Sequence, residues 1–420
     1  MNQDQLFKLS QSNIRQNEKI VVFGVGGGGG NALNHIIESN VQGVDFVAAN
    51  TDNRALAQNQ APNKIMLGEN LTRGLGAGAN PQVGTNAAKE SLEKIKEFIA
   101  GADMLFVTAG MGGGTGTGAA PVIAEAARDM NVLVVGVVTT PFRFEMSKRM
   151  NTALEGIEHL KKNVDALLVV ENEKLLESES GKKMNIVDAY KRVDEVLRQA
   201  VQGVTDLITK SGFVNLDFAD IKAILTGAGS AIMGMGEGEG EDRAKKAAEN
   251  AIKSPLMTLP MKGAKGILLN VTTGPEISLG EMADAAEIIE KTADPDAQVI
   301  WGHVIDESLG EKVHITLIAT FPEEAMRNKI NMSIQKKPTV QQEIPPQPQP
   351  PQPIQQTQPQ QPQYPRTGGS IFDVYNRNRN IANQGLQEAN LTTPTNEGAF
   401  PAHQRRLYDQ PSLYRKNSKN

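Results

Sequence analysis

The residues from Met111 to Gly118 read Met-Gly-Gly-Gly-Thr-Gly-Thr-Gly. An apolar run, Met104 to Ala109, precedes them, and a helix-like run, Ala119 to Met130, follows. A loop that passes from a strand into a helix directs free backbone N–H groups and the positive end of the helix dipole at one place, which suits an anion. Glycines let the main chain approach phosphate oxygens closely, and threonines add hydroxyl donors. Because a strand and a helix bracket the stretch, it predicts a phosphate-binding loop rather than a flexible linker.

A second glycine-rich stretch lies upstream. Lys19 to Phe23 has the character of a strand, Gly24 to Gly30 follows as a loop, and a helix is predicted from Asn31 onward. The glycines match G-x-G-x-x-G, although a run of five glycines satisfies almost any such pattern. Two loops of this kind, each between a strand and a helix, indicate one ligand with several phosphates. The chain lacks the Walker A pattern G-x-x-x-x-G-K-[ST], which disfavours an ordinary P-loop NTPase.

Composition limits the class of protein. The 420 residues leave room for two domains and additional segments, and the net charge of −5 gives no case for nucleic-acid binding. No cysteine occurs, so disulfides and thiolate metal sites are excluded. The five histidines are scattered without metal-ligand spacing, and no apolar run approaches the roughly 20 residues of a membrane-spanning helix. We therefore expect a cytoplasmic protein that has no signal peptide and does not insert directly into a membrane.

Apolar periodicity predicts an α/β fold. Over residues 19–185, short apolar strands alternate with helices, and their continuous Val/Ile/Leu character suits a mostly parallel sheet that is covered on both faces. Apolar residues spaced three and four apart predict one long central helix over 186–210. Residues 211–322 then predict a second, smaller α/β domain with a mixed sheet. Ligands bind beyond the C-terminal ends of parallel strands, where both glycine loops lie.

The ends of the chain differ in composition from this folded part. Residues 1–18 are polar and are expected to be disordered, and residues 323–408 are rich in proline and glutamine, which predicts a disordered linker. The final segment, 409–420, places two apolar residues beside two cations. Such a motif on a long tether predicts a docking peptide, and an ordinary end of a disordered tail is the alternative.

Five motifs occur in order along the chain: Gly24–Asn31, Leu75–Gly84, Gly112–Gly118, Pro141–Glu145 and Asn215–Asp220. By these motifs the chain resembles the FtsZ family of bacterial cell-division GTPases, within the tubulin superfamily, over roughly residues 19–320. The Pro/Gln linker and the terminal peptide resemble the family's layout as well. The resemblance implies a Rossmann-like GTP-binding domain, a C-terminal domain that activates hydrolysis of GTP to GDP and phosphate, and head-to-tail polymerisation into filaments of the cytokinetic ring.

The resemblance also implies where the phosphates bind. Three loops would surround them, with the second loop over the γ-phosphate and Mg²⁺ bound together with the nucleotide. The residues concerned are Gly27, Gly28, Gly29, Gly30 and Asn31 in the first loop, Gly76, Ala77, Gly78, Ala79 and Asn80 in the second, and Gly113, Gly114, Thr115 and Gly116 in the third. Asn50 and Asp52 would lie near the phosphates and the metal ion, and no protein ligand to Mg²⁺ is assigned.

The sugar and the base have implied contacts of their own. Glu145 would bind the ribose, with Arg149 and Asn172 close by. Tyr190 would stack on the base. The family roles therefore draw on six separate segments of the first domain and on the start of the long helix.

One acid is expected to read guanine. Asp194 would accept hydrogen bonds from N1–H and N2–H₂, a donor pair that a carboxylate matches and adenine does not offer. The adjacent Glu195 leaves open which of the two acids has this role. A second departure from the family pattern is the segment Gly234 to Gly240, whose many glycines leave the conformation of this expected loop open.

The predicted long helix separates two sets of functional residues. Tyr190 and Asp194, four residues apart, lie in its first turns, whereas Asn215, Asp217 and Asp220 follow its far end. Twenty residues of helix span about 30 Å, so these acids do not reach the nucleotide of their own chain. They would act on the GTP of a neighbouring subunit, and such a heterologous contact builds an open filament. Asp217 and Asp220 would orient and polarise the attacking water, and Asn215 would assist by hydrogen bonding. A helix N-cap in a surface loop is the alternative role for this segment.

The resemblance implies two kinds of partner. One is further copies of the chain, and the other is a set of membrane-tethering and regulatory division proteins that bind the terminal peptide. The peptide residues are Asp409, Pro411, Leu413, Tyr414, Arg415 and Lys416. Assembly would then take place at midcell, on the inner face of the cell membrane.

Two other functions fit parts of the sequence. A nicotinamide-dependent oxidoreductase would use Gly24 to Gly29, but it requires an acid about 20 residues further on, and Asp52 lies 28 residues after Gly24. This function also leaves the second glycine loop unexplained. A nucleotide-binding scaffold that has lost hydrolysis is the other alternative, which the intact Asp217 and Asp220 disfavour.

Overall fold

A computed structural model describes residues 18–176, 184–210 and 217–321. Its N-terminal half alternates strands and helices, as the sequence predicts. The strands are β1 (Ile20–Val25), β2 (Val44–Asn50), β3 (Asn63–Met66), β4 (Met104–Gly110), β5 (Leu133–Thr140) and β6 (Ala166–Glu171). The helices are α1 (Gly26–Glu38), α2 (Asn53–Gln58), α3 (Glu69–Thr72), α4 (Pro81–Glu90), α5 (Leu92–Ile99), α6 (Thr115–Asp129) and α7 (Ser147–Lys161).

These six strands pair in parallel in the order β3-β2-β1-β4-β5-β6. The order reverses between β1 and β4, because the chain leaves β1 toward one edge of the sheet and leaves β4 toward the other. β1, β4 and β5 are buried along almost their whole length, since α1 covers one face and α4 to α7 cover the other. A switch point of this kind is where open α/β sheets bind ligands.

The long central helix is α8, Ile186–Thr209. The Asn185 side chain caps its start by accepting a hydrogen bond from the backbone N–H of Asp188 at 2.9 Å. Its buried residues share one apolar cluster with α1 and one face of the sheet. In the last third of the helix, Asn270 Nδ2 donates to the carbonyl oxygen of Gly203 at 3.1 Å. The helix is therefore packed against the sheet over most of its length, and its C-terminal part is hydrogen-bonded to the second half of the chain.

The second half is a mixed α/β arrangement. Its elements are α9 (Phe218–Leu225), β7 (Gly229–Gly238), α10 (Arg243–Ile252), β8 (Gly266–Thr273), α11 (Leu279–Thr292), β9 (Gln298–Ile305) and β10 (Val313–Phe321). β10 runs antiparallel between β7 and β8, and β9 is parallel to β8. β7 also pairs in parallel with β6, so one ten-stranded sheet runs through both halves. The domain boundaries given by the sequence therefore stay a prediction.

The glycine-rich segment 234–240, which the sequence analysis treats as a loop, is mostly strand. Its first five residues, 234–238, are the end of β7. Helix α10 packs directly on this strand. A Cβ atom on Gly236 would lie 2.0 Å from the carbonyl oxygen of Ala247, far inside van der Waals contact. The alternate glycines are thus needed because a helix backbone occupies the space where strand side chains would stand.

Both helices that follow the glycine loops begin earlier than predicted. α1 begins at Gly26 rather than Asn31, and α6 begins at Thr115 rather than Ala119. Glycine has low helix propensity, but tertiary packing outweighs propensity here. A Cβ on Gly118, for example, would lie 2.0 Å from the Pro81 carbonyl oxygen on α4. The first turns of both helices therefore consist mainly of glycine and threonine, with little side chain to cover the backbone.

Candidate nucleotide-binding site

Two helix N-termini lie side by side at the switch point of the sheet. β1 and β4 are neighbours in register, with Gly24 opposite Thr108 and Val25 opposite Ala109, and they lead into α1 and into the loop before α6. Neither helix has an acidic residue in its first turn or a side-chain cap. The first N–H groups of a helix lack intrahelical partners. The two termini therefore present uncapped donors and two positive dipole ends to one region.

The two glycine loops also pack against each other. Gly26 has φ +72°, and a Cβ there would lie 2.8 Å from the backbone nitrogen of Gly116. Gly27 and Gly28 are exposed at the start of α1, whereas Gly29 is buried against β4. Any side chain at Gly26 would push the two helix starts apart, so glycine there keeps both sets of donors within reach of one ligand.

A third loop, residues 76–80, covers the second glycine loop. The backbone N–H of Gly76 donates to the Thr51 carbonyl oxygen at 3.0 Å. A Cβ on Gly114 would lie 2.8 Å from the Ala77 Cβ and 2.9 Å from the Asn80 nitrogen. Gly78, Ala79 and Asn80 are exposed, and the Asn80 side chain caps α4. The three loops that the sequence assigns to phosphates are thus brought together.

A cavity of about 300 Å³ adjoins the first glycine loop. Four of the predicted residues line it, namely Gly27, Gly30, Asn31 and Asn50. Asn50 is only 7% exposed, and its Oδ1 accepts from the backbone N–H of Asp52 at 3.2 Å. Asp52 in turn caps α2, because its Oδ1 accepts from the backbone N–H of Arg54 at 2.8 Å. Asn50 and Asp52 therefore fix the conformation of the chain between β2 and α2.

The residues assigned to sugar and base meet at the start of α8. Glu145 Oε1 accepts from the Phe142 backbone N–H at 2.9 Å, and its Oε2 pairs with Arg149 Nη1 at 2.9 Å. The Tyr190 hydroxyl lies near the Glu145 carboxylate. Burial, followed by this carboxylate, raises the pKa of Tyr190 and keeps its hydroxyl protonated as a donor. The Tyr190 ring meets the Phe142 ring edge-on, with centroids 5.4 Å apart.

Asp194 and Glu195 have different surroundings. Glu195 pairs with His35 of α1 at 3.0 Å and with Arg198 Nε at 2.8 Å. Burial works to raise the pKa of Glu195, but Arg198 and His35 outweigh it and hold that pKa below its ordinary value. Burial raises the pKa of Asp194 to about 6, against an opposing effect of His35. Within the described ranges Asp194 forms no hydrogen bond or ion pair, so its carboxyl is free to accept a hydrogen bond from a ligand.

Asn172 is a buried polar residue at the same end of the sheet. It follows β6 in a 3₁₀ turn (Asn172–Leu176) and is 4% exposed. Its Oδ1 has no hydrogen-bond partner among the described residues. A buried acceptor without a donor costs about 1–3 kcal/mol, so a donor from a ligand would relieve a penalty here.

The two acids assigned to hydrolysis lie elsewhere in the chain. Asp217 caps α9, accepting from the Ala219 backbone N–H at 3.1 Å, and Asp220 is in the first turn of the same helix. Both are exposed. They follow the C-terminal end of α8, and the helix between Tyr190 and Thr209 is roughly 30 Å long. Asn215 and the terminal peptide 409–416 lie outside the described residues.

Two residues make contacts within the candidate site that the sequence does not assign to them individually. Thr51 is fully buried, and its Oγ1 lies 2.6 Å from Thr115 Oγ1. Phe142 is the buried ring that contacts both Phe144 and Tyr190. Each lies inside or beside a motif that the sequence did single out, but only the side-chain positions show what each contacts.

Two models of known protein families match this chain. A family model described as Tubulin/FtsZ family, GTPase domain, matches residues 19–180, and one described as FtsZ family, C-terminal domain, matches residues 229–321. The fold and the convergent glycine loops thus define a GTPase of the tubulin type that binds GTP and GDP.

Solved structures narrow the assignment further. An empty FtsZ dimer from M. jannaschii is 42% identical, with a TM-score of 0.71, and the match covers 77% of this chain and 94% of that one. A tryptophan-to-tyrosine mutant of FtsZ from M. jannaschii is 43% identical, with a TM-score of 0.72, and the match covers 76% of this chain and 95% of that one. The chain belongs to the FtsZ family. CetZ2 from Haloferax volcanii, in a GTPγS-bound protofilament, shares the fold at 21% identity and a TM-score of 0.62, covering 76% of this chain and 99% of that one.

No group of three or more His, Cys, Asp or Glu side chains suited to a metal ion occurs in ranges 18–176, 184–210 and 217–321. Over the same ranges, no helix has the length and apolar character to cross a bilayer.

Proposed function

We propose that this GTPase polymerises head to tail and hydrolyses GTP at the contact between subunits. The carrying observation is the position of Asp217 and Asp220, which lie past the far end of α8 from Tyr190 and Asp194. On this proposal, a single chain does not bring both sets of residues to one nucleotide. A second copy, stacked with its α9 over the glycine loops of the first, would complete the site, and repetition of this contact gives a filament.

In this arrangement the roles of the residues follow from their chemistry. The three glycine-containing loops hold the phosphates through backbone N–H groups, and Glu145, Tyr190 and Asp194 hold the sugar and the base. Asp217 and Asp220 of the adjacent copy orient and polarise the attacking water, and Asn215 assists. Preorganised donors and positioned water account for most of the catalysis in phosphoryl transfer.

Mg²⁺ fits the site as an ion bound chiefly by the nucleotide. Asp52 borders the loop 76–80, because a Cβ on Gly76 would lie 4.0 Å from the Asp52 Cβ, and its Oδ1 is occupied as the cap of α2. Mg²⁺ commonly binds phosphates and water with only one or two protein carboxylates, so the lack of an acidic cluster among the described residues is compatible with it. When bound, the ion would neutralise charge on the phosphates, and Asp52 would hold it in place.

We further propose that the filaments form the cytokinetic ring at a bacterial division site. The assignment to the FtsZ family supports this function, as does the terminal peptide with Leu413, Tyr414, Arg415 and Lys416. The peptide would bind membrane-tethering and regulatory division proteins and hold the filaments on the inner face of the cell membrane.

The test is phosphate release from GTP measured across protein concentration. Specific activity should rise above a threshold concentration and stay near zero below it.

Asp217→Asn and Asp220→Asn should each lower hydrolysis about 100-fold or more without lowering GTP affinity. Asparagine still caps a helix, so Asp217→Asn removes the charge and keeps the fold of α9. Glu249→Gln, an exposed acid paired with Lys253 on α10, is the matched control and should be inert. A specific activity that is independent of concentration down to the monomer would contradict shared catalysis.

A further inference from the structure

Met146 has a backbone conformation that suits glycine rather than methionine. Its φ of +75° and ψ of 156° lie in a region that is essentially restricted to glycine. The other described non-glycine residues with positive φ have values of 51–58°, in the milder left-handed range. A side chain in the glycine region costs about 1–3 kcal/mol, and such outliers concentrate at functional sites.

The chain connections around Met146 explain the conformation. A 3₁₀ turn (Arg143–Glu145) ends at this residue, and α7 begins immediately after it. The Met146 N–H donates to the Arg143 carbonyl oxygen at 3.1 Å, and the Met146 carbonyl accepts from the Arg149 N–H at 3.2 Å. Met146 is therefore both the last residue of the turn and the residue that precedes the helix. The whole change of chain direction falls on its backbone, because no other residue connects the two elements. Glycine would do this without strain.

The Met146 side chain has no internal use that offsets the strain. It is 72% exposed, although Glu145 before it is almost buried and binds Arg149. Seven of the twelve exposed large hydrophobic side chains in the described ranges lie at this end of the molecule, on the short helix α3, on loops beside the site or in the first turns of α8. They are Leu71, Leu75, Phe144, Met146, Ile186, Val187 and Tyr190. An apolar concentration of this kind marks an interaction surface.

Charge indicates what covers this surface. Arg143 pairs with Glu173 at 3.7 Å and Arg149 with Glu145 at 2.9 Å, and Lys148 adds one further positive charge, so these three cations face two acids. Arg143 is largely exposed. The opposite end of α8 is followed by the exposed acids Asp217 and Asp220. We call the surface around Arg143, Lys148 and Arg149 the basic rim. The basic rim of one copy is complementary in charge to Asp217 and Asp220 of the next copy, whereas the basic rims of two copies would repel each other.

We propose that Met146 is an anchor in the contact with the next copy of this chain, and that its strained backbone is retained to project the side chain into that contact. This inference rests on the proposed head-to-tail assembly. The free subunit carries the free-energy cost of the strained backbone. In the filament, burial of the Met146 side chain against the partner offsets that cost.

Two substitutions separate the backbone from the side chain. Met146→Gly removes both the strain and the anchor, whereas Met146→Ala removes the anchor and keeps the strain. Thermal unfolding is measured with GDP below the assembly threshold, and the threshold is measured from GTP hydrolysis. Met146→Gly should unfold roughly 2–6 °C higher than the parent protein and assemble at about a tenfold higher threshold. Met146→Ala should show the same rise in threshold with no gain in unfolding temperature. GDP affinity should stay within about twofold in both.

Leu154→Ala is the control, since Leu154 is a half-exposed apolar residue on α7 outside the basic rim; it should change neither quantity. If Met146→Gly unfolds at the parent temperature, the backbone is not strained and the proposal fails. It fails equally if both variants assemble at the parent threshold. If the parent protein itself shows no threshold, head-to-tail catalysis fails and the anchor role fails with it, while the unfolding comparison still reports on the backbone.

Discussion

The hydroxyl oxygens of Thr51 and Thr115 lie 2.6 Å apart, which joins the end of β2 to the first residue of α6. Thr51 is fully buried, and its carbonyl oxygen also accepts from the Gly76 N–H. This single residue therefore connects two of the phosphate loops. The hydrogen bond fixes where the α6 terminus points before any nucleotide arrives.

Breaking this hydrogen bond should weaken nucleotide binding. Thr51→Val and Thr115→Val keep the shape of each side chain and remove one hydroxyl. We expect each to lower GDP affinity about 5-fold, corresponding to about 1 kcal/mol, and the double variant to lose little more than one single variant. Isothermal titration with GDP measures this. Thr152→Val, whose hydroxyl bonds only to Lys148 on the surface of α7, should bind normally. Fully additive losses would show that the two hydroxyls act separately.

Asp194 should make both stability and binding depend on pH. Burial raises its pKa from 3.8 to about 6, so the folded protein favours the neutral form. Its contribution to stability is complete below pH 3.8 and is lost as the pH rises through 6. Asp194→Asn should therefore raise the free energy of unfolding of the nucleotide-free protein by about 1–3 kcal/mol at about pH 8 and leave it unchanged near pH 4.

Binding should change in the opposite direction, because guanine requires the charged carboxylate as its acceptor. GDP affinity should fall as the pH drops below about 6, and Asp194→Asn should bind weakly at every pH. Urea unfolding and GDP binding at several pH values test both effects. If Glu195→Gln removes the pH dependence and Asp194→Asn does not, the assignment of the two acids is reversed.

Gly236 should not tolerate a side chain. Its Cβ would lie 2.0 Å from the Ala247 carbonyl oxygen, so Gly236→Ala must push α10 away from β7. We expect a loss of about 2–4 kcal/mol in the free energy of unfolding, measured by urea denaturation. Gly280→Ala is the matched control, because its nearest neighbour would be Ser278 Oγ at 3.9 Å and alanine favours the helix. Equal effects at the two positions would contradict close packing of α10 on β7.

Removal of residues 409–420 should separate assembly from membrane recruitment. The peptide lies outside the catalytic arrangement proposed above, so GTP hydrolysis and filament formation should persist. Recruitment to a vesicle-bound division protein should be lost, because Leu413 and Tyr414 supply its apolar anchors. Sedimentation and vesicle flotation measure the two outcomes. Loss of filaments in the truncated protein would show that the peptide takes part in assembly instead.

The strands and the long helix could be predicted because burial leaves a direct pattern in the sequence. Met104–Ala109 and Ile186–Lys210 differ from the observed β4 and α8 by only one residue at an end. The helix starts at Gly26 and Thr115 could not be predicted, since glycine and threonine are poor helix formers. Their helical state depends on packing against distant segments such as α4.

The site was predictable in position but not in detail. Glycine loops at adjacent strand ends locate it, because parallel strands bring their C-terminal ends to one edge. The difference between Asp194 and Glu195 depends on His35, which is 160 residues away from Glu195 in sequence, and no local pattern carries that information. The use of residues 234–238 as a strand likewise depends on α10, which comes later in the chain.

The pairing of β6 with β7 has a mechanical consequence. Only Ala166, Leu167 and Leu168 pair across this line, fewer than at any other strand pair of the described sheet, whereas β7 and β10 share nine pairs. A tensile load carried across the sheet is thus borne by the fewest hydrogen bonds at this line. A pull across the strands would therefore separate β6 from β7 first, and each half would keep its own strands joined.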